Sequence, residues 1–97
     1  MAENHIDYEV AMKVSKMYSS QAEVLDTMIT TLKGANDELQ SGVRNKTADA
    51  FIERYDSEYK LALEKARDAL QSISTFLTDY VNNRMTEDEE TAGGILG

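Results

Sequence analysis

Apolar residues along this chain recur at helical spacing in two long stretches, separated by one short polar break. In the first stretch, 7–40, three adjacent rows repeat every seven residues. Tyr18, Leu25, Leu32 and Leu39 form one row; Val14, Met28 and Ala35 form a second, interrupted by Gln21; Val10, Met17 and Val24 form a third. Together they make an apolar face wider than a two-stranded seam requires. Asn4 or Asp7 suits the cap position, and Asp7 with Glu9 suits the positive end of the helix dipole. Gly34 costs about 1 kcal/mol relative to Ala inside a helix. Leu32, Ala35 and Leu39 nevertheless keep their phase across it, so the helix is expected to continue. A kink or short break near Gly34 is the second choice.

The second stretch, 47–85, is more regular. Ile52, Tyr59, Ala66, Ile73 and Tyr80 are seven apart, as are Tyr55, Ala62, Ala69 and Phe76. Interleaved, they step by three and four without a miss, the pattern of a supercoiled seam. The centre of that seam is small (Ala62, Ala66, Ala69) and its ends are aromatic, with Leu63, Leu70 and Leu77 flanking it. Between the stretches, Ser41 and Gly42 end the first helix, and Asn45 or Thr47 can cap the second. A turn over 41–46 joining two such helices makes them antiparallel neighbours.

The expected fold is therefore all-α: an antiparallel two-helix hairpin, a helix-turn-helix rod. A short arm (1–6) precedes it and a tail (86–97) follows. Each helix has a partner on one side only, while both carry faces wide enough for two. The apolar surface left over exceeds what a monomer usually exposes. Pairing with a second hairpin, as a four-helix bundle dimer, is the simplest remedy.

Composition narrows the chemistry. The 97 residues suit one domain and include no Cys, no Pro and no Trp. Cysteine-based metal sites and disulfides are thus excluded, and the absence of Pro leaves long helices unbroken. The net charge is −8, and four of the negatives fall in the segment TEDEE. An acidic surface repels phosphate backbones, so nucleic acid is a poor partner. That acidic segment and the following TAGGILG read as a disordered, solvated tail. His5 is the single histidine and lies near the start. Without inward Glu-x-x-His pairs, a thiol or a Gly-rich phosphate loop, no catalytic, cofactor or metal site is expected, and the chain does not read as an enzyme. Met12, Met17 and Met28 suit either core filling or an adaptable binding surface. No apolar run is long enough to span a bilayer, and no cationic start precedes an apolar run as in a cleaved secretory signal.

The architecture, over nearly the whole chain, resembles the WXG-motif family, small helical hairpins associated with type VII secretion and typified by the early secreted antigenic targets. In that family the turn carries Trp-x-Gly, with an aromatic six residues after the Gly. Counting back from Phe51 in TADAF places Val43 at the Trp position and Asn45 at the Gly position. The motif itself is replaced by VRN, and Asn is a reasonable substitute for Gly where a positive φ is needed. The family's export signal, Tyr followed four residues later by an acidic residue, is matched only loosely. Tyr80 is in place, but Arg84 occupies the acidic position, and Glu87 and Asp88 come later.

The resemblance implies a protein resident in the cytoplasm before export and secreted without a cleaved signal peptide. Its partners would be another helical hairpin (itself or a paralogue), or the helical N-terminal region of a larger secreted protein, together with the type VII machinery. In the family, heterodimers often carry one export signal between two subunits, so a chain lacking a clean signal fits the escorting partner. The competing expectation is a homodimeric structural or adaptor coiled coil unrelated to export. In either case the residues expected to build the core or partner seam are Leu25, Leu32, Leu39, Ile52, Tyr55, Tyr59, Ala62, Ala66, Ala69, Ile73 and Phe76.

Overall fold

The computed structural model describes residues 7–96, with side chains through Met85. The arm at 1–6 lies outside the described residues, as do the side chains of Glu87 and Asp88. Helix α1 spans Tyr8–Gly42. Asp7 caps it: its backbone is extended, and its carboxylate accepts from the Val10 N–H at 3.1 Å. This satisfies one of the orphan donors of the first turn, and Glu9 complements the dipole there. α1 passes through Gly34 as helix, so the continuous reading holds.

Reversal takes only Val43, Arg44 and Asn45, a shorter turn than 41–46. The Val43 N–H closes the last helical bond to the Leu39 carbonyl at 2.8 Å. Asn45 then caps the second helix, its side-chain oxygen accepting from the Ala48 N–H at 2.8 Å. The positive φ expected at Asn45 is absent. Its φ is −149°, and no described residue, glycine included, has a positive φ. Extended backbone on either side of Arg44 reverses the chain, so Asn45 serves through its side chain and not as a glycine substitute.

The second helix has three consecutive parts: α2 (Lys46–Arg54), a π-helical turn (Tyr55–Tyr59) and α3 (Lys60–Leu96). Its end differs from the expected 85. The backbone remains helical to Leu96, because nothing between Met85 and the Gly93–Gly94 pair breaks a helix. At 1.5 Å per residue, residues 46–96 measure about 75 Å, matching the 75 Å long axis of the molecule.

The two rods are antiparallel. Ser15 lies against Ser74 and Thr78, Ser19 against Gln71, and Asp26 against Arg67, so position falls along α3 as it rises along α1. From α1 the buried residues are Ser15 and Ala22, in one row with Ile29 and Asn36, and Tyr18, Leu25, Leu32 and Leu39 form a half-buried row beside it. The fully enclosed part of the core is thin: Ala22, Ala48, Ile52, Tyr55 and Val81, with Ser15 and Ser74. Two helices cover each other on one side only, and this core is what that geometry yields.

Candidate interaction surface

Up to the π turn, the second helix presents Ala48, Ile52 and Tyr55 to α1, all buried. An uninterrupted α-helix would continue this seam through Tyr59, Ala62, Ala66, Ala69, Ile73, Phe76 and Tyr80. The residues that face α1 after the turn are instead Leu63, Arg67, Leu70, Ser74, Leu77 and Val81. Each stands one place later in the chain. The cause is the π turn, in which the Lys60 N–H donates to the Tyr55 carbonyl five residues back. That turn takes up one extra residue and rotates everything downstream by about 100°.

The most regular apolar row in the sequence is thereby left outside. Phe76 is 66% exposed, Tyr59 45%, Tyr80 41% and Ile73 39%, and Ala62, Ala66 and Ala69 are also exposed. As core of the hairpin itself, the expected seam is corrected: Ile52 and Tyr55 are inside, and Tyr59, Ala62, Ala66, Ala69, Ile73 and Phe76 are not. Leu25, Leu32 and Leu39 are half-buried against the second helix, as a core row should be. Phe76 and Tyr80 stack on one another with centroids 6.4 Å apart, and the Arg54 guanidinium lies 5.8 Å from the centre of the Tyr59 ring.

α1 carries a matching outer row, with Val10, Met17, Val24 and Met28 all exposed. The polar cross-links show that the two outer rows share a side of the hairpin. Arg67 donates to Asp26 at 2.8 Å, and Ser19 approaches Gln71 at 3.5 Å. On α1, Ser19 and Asp26 each stand one place after an inward residue, Tyr18 and Leu25. On the second helix, Gln71 stands one place after Leu70. These following flanks meet along one edge. The preceding flanks must then meet along the opposite edge: Met17 and Val24 before Tyr18 and Leu25, and Ala69, Ile73, Phe76 and Tyr80 before Leu70, Ser74, Leu77 and Val81. Phe51, 45% exposed and one place before Ile52, lies on the same flank. The result is one long face, apolar on both helices.

The opposite edge is polar. Hydrogen bonds to Asp26 and then Asp68 hold the Arg67 guanidinium even more firmly charged than usual. These are solvated pairs and set register more than they stabilise. Inside, Ser15 is 2% exposed and donates to the Ser74 carbonyl at 2.8 Å, while its oxygen lies 2.7 Å from the Thr78 hydroxyl. An open groove of about 710 Å³, lined among others by Tyr8, Met12, Lys16, Val81 and Met85, lies between the start of α1 and α3. Among the described residues, no three His, Cys, Asp or Glu side chains gather as a metal site would need, and no helix is long and apolar enough to cross a membrane.

Of the turn residues, Val43 is 41% exposed and fills no core position, whereas Asn45 works as the cap. Tyr80 is placed by its stack on Phe76 and belongs to the outer row. The inner row of Ser15, Ala22, Ser74 and Val81 escaped sequence reasoning. Serines, Arg67 and Lys60 interrupt its apolar character, and the evenly spaced Leu63, Leu70 and Leu77 were its visible trace. Comparison of the chain with family models, curated proteins and solved structures finds no match.

Proposed function

We propose that this chain is a helical-hairpin subunit of a type VII secretion system, exported itself or escorting a larger secreted protein. It would act by packing its outer apolar face against a second helical hairpin in a four-helix bundle. The observation that carries this reading is the exposed row from Tyr59 to Tyr80, unbroken in heptad phase and small at its centre. Alanines there allow another helix to approach closely, and each large side chain buried at the ends contributes about 1.5–3 kcal/mol. The row of Val10, Met17, Val24 and Met28 widens the contact to two helices. Nothing in this mechanism calls for a cofactor or a reacting group.

The link to secretion rests on the resemblance in length, hairpin architecture and the ADAF segment, and on Tyr80 at the bundle end before an acidic stretch. The test is a tagged chain recovered from its own host, with culture medium assayed alongside. Export that is lost on truncation after Arg84, while pairing remains, supports the reading. Retention inside the cell with a stable self-dimer would instead establish a structural coiled coil.

A further inference from the structure

The second helix contains two seams, one residue out of phase, and only one of them faces α1. The seam that begins Ile52, Tyr55, Tyr59, Ala62 continues to Tyr80 without a skip and needs no π turn. The seam of Leu63, Leu70, Ser74, Leu77 and Val81 faces α1 only because the π turn absorbs one residue. We propose that the π turn at Tyr55–Tyr59 is a register switch that displays or withdraws the outer apolar face. Annealing it to α-helix moves the Lys60 N–H from the Tyr55 carbonyl to that of Asp56. The helix beyond turns by about 100° and advances by about 1.5 Å. Ile73 then takes the place of Ser74 opposite Ser15, and the alanine–aromatic row enters the hairpin.

A switch requires two packings of comparable free energy, and each packing here has merits that the other lacks. The displayed form keeps the hydrogen bonds of Ser15 with Ser74 and Thr78 and the Asp26–Arg67 pair. It also has three liabilities. The π turn is an uncommon backbone form. The Tyr55 hydroxyl, in a residue 7% exposed, is buried with no hydrogen-bond partner. Finally, Tyr59, Ile73, Phe76 and Tyr80 face water while Lys60, Arg67 and Ser74 occupy the inner side. The withdrawn form removes the π turn and buries the alanine–aromatic row, and it gives up the Ser15 and Asp26 contacts. Because no proline interrupts the second helix, annealing at one turn propagates to its end as a rigid rotation. Resting on the pairing face proposed above, the switch supplies its regulation: a second hairpin covering the outer row holds the π form.

The absence of cysteine makes the test clean. Ser15→Cys, nearly isosteric, is combined separately with Ser74→Cys, Ile73→Cys and Thr75→Cys, and disulfide closure is timed in the dilute full chain. Ile73 and Thr75 flank Ser74 by equal rotations, and only annealing favours Ile73. The Ser74 pair should close, and the Ile73 pair should close about tenfold faster than the Thr75 pair. Deleting Ser57 puts the Leu63–Val81 row in unbroken α-helical frame with Ile52 and Tyr55, and should abolish the Ile73 advantage. Equal rates for the Ile73 and Thr75 pairs, or an Ile73 advantage that survives the deletion, would overturn the switch. Sedimentation of the locked forms then separates the two proposals. The Ser74-locked chain should associate and the Ile73-locked chain should not; association of both alike overturns regulation of the face. If neither they nor the parent associates with a partner hairpin, the pairing face is lost, and the closure rates still decide the switch.

Discussion

Tyr55 is buried in the core, yet its hydroxyl oxygen is enclosed without a partner. A buried hydroxyl in that state bears a desolvation cost that no hydrogen bond offsets. Tyr55→Phe removes the oxygen and keeps the ring, and is expected to stabilise the hairpin by about 1 kcal/mol. Urea denaturation followed by helical circular dichroism measures this, and a loss of stability would mean that the hydroxyl has found an acceptor. Ser15 is the opposite case, an equally enclosed polar group that is fully engaged, with Ser74 and Thr78. Such a pair of hydroxyl-bearing positions aligns the two rods at one level, where leucines alone would let them slide.

The helices show how local chemistry and long-range packing divide the labour. Asp7 and Asn45 act through nearby N–H groups, so their roles follow from the three residues after them. Gly34 sits within α1, and a methyl group added there would meet nothing within 4 Å apart from its chain neighbours and the backbone of its own helix. Gly34→Ala is therefore expected to raise stability by about 0.5–1 kcal/mol through helix propensity alone. A shift in thermal midpoint reads the effect, and a decrease would reveal a kink or a partner that needs the space. The π turn is different in kind. Nothing in the segment YDSEY forbids α-helix, and the α form would extend the better heptad row. Its presence answers to what lies across the hairpin, where Leu63, Leu70, Leu77 and Val81 meet the rows of α1.

In the whole molecule, a 75 × 23 × 18 Å rod can enclose few side chains, so the division between inner and outer faces governs its behaviour. Two substitutions that look alike in sequence should then behave differently. Leu32 is half-buried between the rods, and Leu32→Glu should unfold the hairpin by forcing a charge into its seam. Ala66 is exposed, so Ala66→Glu should preserve helicity and monomer stability while abolishing association with a second hairpin. Circular dichroism and analytical ultracentrifugation on both variants check this pair. An Ala66→Glu chain that associates like the parent would remove the outer row as the contact, and a helical, stable Leu32→Glu chain would contradict the inner seam.

The helices, their polarity and their caps were legible because period, capping residues and the lack of proline act over a few residues at a time. The end at Leu96 was not, since high negative charge suggests a solvated tail as readily as helix. Nor was the turn's geometry, because Asn serves equally well as a cap and at positive φ, and only the backbone angles separate the two uses. Read alone, the chain specifies an all-helical hairpin with more apolar face than one hairpin can bury. Tertiary structure alone assigns those faces. The heptad row of alanines and aromatics has the right period to pack inward or outward, and a period carries no direction. One residue absorbed at Tyr55–Tyr59 supplies the direction, turning the leucine row to α1 and the alanine–aromatic row to the outside.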